Sequence, residues 1–86
     1  MNAYRITIKG GEWLESTHIL ALTPQMALWK AFSKYIDHCT ERGVYFIAGH
    51  FDYHDLFGME YPVITAQFAD GKRSVYPQFE IAEVKS

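Results

Sequence analysis

From Tyr4 the chain alternates with a period of two: Tyr4, Ile6 and Ile8 fall on one side and Arg5, Thr7 and Lys9 on the other. That is the signature of a strand with one buried face. The period then changes. Over 24–42, at about 100° per residue, Leu28, Trp29, Phe32, Tyr35, Ile36 and Cys39 share an arc about 120° wide. Lys30, Ser33, Lys34, Asp37, Thr40 and Glu41 fill the opposite arc, so the segment predicts an amphipathic surface helix with a single buried stripe. Both ends are marked. The Thr23 hydroxyl can accept an orphan helical N–H, Pro24 suits the first helical position, and Arg42 followed by Gly43 suits the closing turn.

Gly10-Gly11 ends the first strand. A three-residue loop over 10–12 sets Ile8 opposite Leu14, Ile6 opposite Ser16 and Tyr4 opposite His18, with Leu20 and Leu22 continuing the inward row. A two-residue Gly-Gly turn sets Ile6 opposite Glu15. The longer loop is preferred because it keeps one face apolar and places Lys9 over Trp13 and Arg5 near Glu15 on the wet face. After the helix, 44–51 is β-branched and aromatic and predicts a buried third strand, with Gly49 marking a bulge or a close backbone approach. A fourth strand over 61–68 leads through Asp70-Gly71, a strong hairpin signal, into a fifth over 73–76. Pro77 marks an edge or a break before 79–84, a sixth short strand or a continuation. The expected class is therefore α+β: one domain over 1–86, an antiparallel sheet of five to six strands, and one amphipathic helix across a face, in the order ββαβββ.

At 86 residues such a domain can bury about 60–65% of its unfolded surface. Apolar residues make up 49% and aromatic residues 16%, enough to exclude a disordered chain and to supply large rings to a small core. The single cysteine excludes an intramolecular disulfide. No stretch reaches the roughly 20 apolar residues of a membrane span or begins like a signal peptide, so the expected compartment is the cytoplasm. A net charge of −2 with scattered acids and bases gives no footprint for nucleic acid.

The connection 50–60, reading HFDYHDLFGME, is the most unusual stretch. Asp52 can cap a short helical turn through Tyr53, His54, Asp55, Leu56 and Phe57, closed by Gly58. Phe51, Tyr53, Phe57, Met59 and Tyr61 cannot all point inward from one connection, and two readings follow. The rings plug the open end of the sheet, or they anchor a partner. In the second reading the contact set is Phe51, Asp52, Tyr53, His54, Asp55, Phe57, Met59 and Tyr61.

The same stretch carries a metal alternative. On a helical turn His50 and His54 share a face, with Asp52 or Asp55 as an oxygen ligand, but on extended chain the imidazoles separate by roughly 13 Å. The H-E-x-x-H pattern of zinc proteases is absent, since Phe51, Asp52 and Tyr53 lie between the histidines. His38 and Cys39 are helix neighbours about 100° apart and do not face each other; Cys39 lies on the apolar arc as a small hydrophobe, and His38 near the negative end of the dipole. His18, on the inward row, reads as a satisfied half-buried histidine. Gly10-Gly11 lacks the phosphate-loop pattern. A weaker nucleic-acid reading places Lys72 and Arg73 on phosphate with Tyr76 and Phe79 stacking on bases, although two cations drive little binding.

The residues thus point to a non-enzymatic binding module with a protein partner, no cofactor, no metal in the preferred reading, and either a monomer or a homodimer. Glu80 and Glu83 on the last strand would discourage sheet pairing at that edge. In size and general character the chain resembles the small inhibitors, anti-CRISPR proteins among them, that phages and mobile elements encode against host defence. That resemblance implies an inhibitor or modulator of a larger protein and assigns no residues.

Overall fold

Seven elements make up the computed structural model, which describes residues 1–11, 16–56 and 58–85. They are β1 (Asn2–Lys9), β2 (Ser16–Ala21), α1 (Pro24–Thr40), β3 (Tyr45–Leu56), β4 (Met59–Ala69), β5 (Ser74–Val75) and β6 (Gln78–Lys85). The strands form one antiparallel sheet in the order β2-β1-β6-β4-β3, with β5 paired to β4. α1 covers one face and the other is open, so the α+β class expected from the periodicities is the fold observed.

Two expectations about the sheet are corrected. β6 is not an edge. It lies between β1 and β4, pairing Ile8 with Phe79 and Ile6 with Ile81 on one side and Val63 with Glu80 on the other. Phe79 and Ile81 point under the helix and are buried, which explains why this strand is drawn inward. Glu80 and Glu83 therefore guard no edge: Glu80 pairs with Lys9 and His54, and Glu83 with Arg5 and Lys85. The second correction is the register of the first pair. Tyr4 lies opposite Ile19 and Ile6 opposite Thr17, one residue away from the expected pairing. A one-residue slip flips every side chain. The inward row of β2 is thus Thr17, Ile19 and Ala21, while His18, Leu20 and Leu22 face out. Ala21 is fully buried where the chain turns into α1 and belongs to the core, while the larger Leu20 and Leu22 on either side of it are exposed. The expected positions of Trp13, Leu14 and Glu15 lie outside the described residues.

The helix begins as its sequence predicts: Thr23 Oγ1 accepts from the Met26 N–H at 3.1 Å. At the other end the Val44 N–H donates to the Cys39 carbonyl at 3.0 Å and the Gly43 N–H to the Thr40 carbonyl at 3.1 Å, with Gly43 at φ 75°. This is the 6→1 closure of a Schellman motif, and it stops α1 two residues before the expected end. The buried stripe holds Ala27, Leu28, Ala31, Phe32, Tyr35 and Cys39. Trp29, expected among them, is 51% exposed and Ile36 is half-buried, so the buried stripe is turned away from these two residues towards Ala27 and Ala31.

Rings fill the space between helix and sheet. The Phe32 centroid lies 5.2 Å from Phe79, 5.6 Å from Phe46 and 6.4 Å from Phe68, and that of Tyr35 lies 5.1 Å from Phe68 and 5.2 Å from Phe79. All five contacts are edge-to-face, the arrangement the ring quadrupole favours.

The Asp70-Gly71 hairpin forms as the sequence predicts, but with a four-residue loop, because Ala69 pairs with Ser74. Asp70 Oδ1 accepts from the N–H groups of Lys72 at 2.9 Å and Arg73 at 3.1 Å. These donors favour the ionised carboxyl and hold Asp70 below its ordinary value of 3.8. Glu83 is likewise held below 4.5, first by its hydrogen bond from Arg5. A carboxyl with a lowered folded-state pKa stabilises the fold above its unfolded value, and that contribution disappears as pH falls through the lowered one. Acidification from neutrality should therefore lower the melting temperature below about pH 4.5. In Asp70→Asn, thermal melts across that range should show a shallower decline; an unchanged slope would count against the loop contact as its source.

Candidate functional site

β3 and β4 form a long hairpin at one side of the sheet. Twelve residues at about 3.3 Å each span about 40 Å, which matches the 40 Å long axis of the molecule. Pairing runs from Tyr45 opposite Ala69 to Leu56 opposite Met59, while β4 contacts β6 only over Val63, Ile64 and Thr65. The distal part of the hairpin thus extends as a two-stranded arm. The helical turn expected after Asp52 does not form; that stretch is strand, and residues 57 and 58 alone separate the paired ends. Asp55 Oδ1 accepts the Gly58 N–H at 3.0 Å, so this aspartate fixes the turn and does not cap a helix. The bulge expected at Gly49 falls two residues earlier, at Ile47, between the pairs Phe46–Phe68 and Ala48–Gln67. Gly49 instead makes room for a ring: a Cβ there would lie 3.3 Å from Phe46.

The bulge sets the faces of the arm. Gly49, Phe51 and Tyr53 share the helix side, opposite Ala66, Ile64 and Pro62. Phe51 stacks on Trp29 with centroids 6.2 Å apart and meets Tyr53 edge-on at 5.3 Å. His50, Asp52 and His54 take the open side. His50 Nε2 lies 3.9 Å from Asp52 Oδ2, and His54 Nδ1 lies 3.4 Å from Glu80 Oε2. Met59 is exposed, Tyr61 is half-buried against the core, and Phe57 lies outside the described residues. The expected contact set is therefore distributed over both faces of one strand pair and not gathered on a loop.

Between Trp29, Phe32, Phe46, Gly49, Phe51 and Ile64 the helix leaves an apolar groove of about 290 Å³ along β3. Sequence reasoning placed Trp29 in the core and Phe46 in a buried strand, and so missed that both line the surface. Tyr45 and Ile47, 55% and 56% exposed, extend the apolar surface of this strand.

The two outer strands differ in their exposed edges. On β2, the Leu20 carbonyl accepts from Lys30 Nζ at 3.0 Å and Thr17 Oγ1 is 3.4 Å from Lys34 Nζ, so helix lysines reach down to that edge. β3 has twice the length, and no lysine, arginine or proline among its residues. Lysine and proline are two of the devices that blunt an edge; of the others, β3 carries the carboxylates Asp52 and Asp55 and the bulge at Ile47.

The alternatives do not assemble here. With β3 extended, His50 and His54 lie roughly 13 Å apart along the strand, and among the described residues no group of three or more His, Cys, Asp and Glu side chains is placed to hold a metal ion. Phe79 is fully buried and cannot stack on a base; Tyr76 is exposed beyond β5. His18, expected inside, faces out, and Cys39 is buried. Among the described residues no helix is long and apolar enough to cross a membrane. The chain matches no known protein family, no curated protein and no solved structure.

Proposed function

We propose that this chain is a non-enzymatic protein-binding module that inhibits or modulates a larger protein, of the kind phages and mobile elements direct against host defence, and that the β3–β4 hairpin is its contact surface. The observation that supports this reading is the exposure of Tyr45, Ile47, Phe51, Tyr53 and Met59, between 38% and 62%, on a single hairpin. Exposed aromatic and methionine side chains are the groups that anchor partners when a second surface excludes water from them. Polar neighbours at Asp52, His54 and Asp55 supply the rim.

The test is affinity capture of the tagged protein in lysate of its source organism or that organism's host, at physiological salt, with mass spectrometry of what is retained. Tyr53→Ala and Met59→Ala should each lose a stoichiometric partner that the unaltered chain retains. Because both side chains are half or more exposed, neither change should move the melting temperature by more than a few degrees. Unfolding of either variant would sink the interface assignment, and retention of the partner by both would move the contact elsewhere.

A further inference from the structure

We propose that β3 pairs antiparallel with β3 of a second copy of this chain, about a two-fold axis normal to the sheet and passing beside Phe51. This rests on reading β3 as a protein-binding surface and specifies what occupies its free edge. The edge itself calls for main-chain partners: twelve residues of strand without lysine, arginine or proline, at the one side of the sheet no helix lysine reaches among the described residues.

Symmetry then restricts the register. A two-fold axis normal to the sheet leaves each face on its own side, so every residue must lie opposite one of its own face. Opposed positions must therefore add to an even number. Centring the pair on His50 sets imidazole against imidazole, and centring it on Asp52 sets carboxylate against carboxylate. Centring it on Phe51 sets His50 opposite Asp52 of the second copy, twice, and places the two Phe51 rings side by side between the two Trp29 rings already stacked on them. The same register puts Tyr53 of the second copy opposite Gly49, at the mouth of the groove lined by Trp29, Phe46 and Phe51. A ring placed across from a strand glycine covers backbone that the glycine leaves bare. Centring the pair on Tyr53 also sets Asp52 opposite His54 but places Phe51 opposite Asp55, so charge complementarity on the open face and ring packing on the helix face together select the register centred on Phe51.

Directly opposed antiparallel residues have Cα atoms about 4.5–5.5 Å apart, within the span of a disulfide, whereas diagonal neighbours at about 7–8 Å exceed it. The experiment is therefore mass measurement by light scattering on the full chain at tens of micromolar, with oxidation of two variants in a glutathione buffer. The unaltered chain should scatter as twice the chain mass. Phe51→Cys should form a covalent dimer and Asp52→Cys should not, both folding by circular dichroism because both positions are exposed; buried Cys39 serves as the internal control. Phe51→Lys should scatter as a monomer. A monomeric unaltered chain overturns the pairing and leaves capture of a different protein by the hairpin untouched. Cross-linking through Asp52→Cys in place of Phe51→Cys overturns the register, and a dimer that neither variant traps places the contact on another surface.

Discussion

Phe79→Ala should leave the domain barely folded. Phe79 is fully buried at the centre of the sheet, between Ile8 on β1 and Ile64 on β4, and its ring meets Phe32 and Tyr35 edge-on, each with centroids 5.2 Å away. Truncation removes the ring's burial and leaves a cavity that the surrounding rings, already locked edge-to-face, cannot collapse into, a loss of about 3–5 kcal/mol. A domain of this size holds about 4–13 kcal/mol in total, so the variant spends much or all of that margin. Urea denaturation followed by fluorescence of the two tryptophans should show a midpoint displaced far towards zero denaturant, or no folded baseline. A loss below about 1 kcal/mol would mean that the central layer is not packed as described.

Gly10→Ala should cost more than Gly43→Ala, although both glycines sit at nearly the same left-handed φ, 77° and 75°. The shared part is the Cβ penalty in that conformation, about 1–2 kcal/mol. The difference is space. A Cβ at Gly43 meets nothing within 4 Å, whereas one at Gly10 would stand 2.8 Å from the Tyr76 carbonyl oxygen. That carbonyl cannot retreat easily, because Pro77 follows it, buried, with its ring fixing φ and its own carbonyl accepting from Ala66 at 3.0 Å. Thermal melts should place Gly43→Ala roughly 4–16 °C below the unaltered chain and Gly10→Ala lower still. Equal shifts would show that the β1 end and the β5–β6 connection are not in contact.

The helix was the most legible part of the chain because its signals are local. Thr23, Pro24 and Gly43 each act within one turn, and their roles survive folding unchanged. The hairpin at Asp70-Gly71 was legible for the same reason, down to the aspartate that accepts the turn's N–H groups. The position of β6 was not legible. Nothing between 78 and 85 distinguishes a central strand from an outer one, and its insertion between β1 and β4 is decided by long-range pairing of Phe79 and Ile81 with residues some 70 and 15 positions earlier. The register of β1 with β2 failed by one residue because Leu20 and Leu22 look like core, while Ala21, the residue that fits beneath the helix, carries little hydrophobic signal.

The candidate site was half legible. Its ring density singled out the stretch that forms the β3–β4 hairpin, but Asp52 and Asp55 disfavour strand intrinsically and suggested a turn. The alternation of Phe51 and Tyr53 with Asp52 and His54 is period two, but both rings are only partly covered, so the alternation marks a weak core face. That is the weak point of pattern reading: a strand with a thinly covered core face looks like a loop.

Polymer chemistry classes a building block by how many of its ends can react. A sheet with two open edges is bifunctional and grows without limit, and a sheet with one open edge is a chain stopper. In the β3 pairing proposed above, the hydrogen bond from Lys30 to the Leu20 carbonyl occupies one main-chain acceptor at the far edge and so biases each copy towards the second class. In a pair joined through β3, replacing Lys30 with a residue that cannot donate would free that acceptor and move each copy towards the repeating kind.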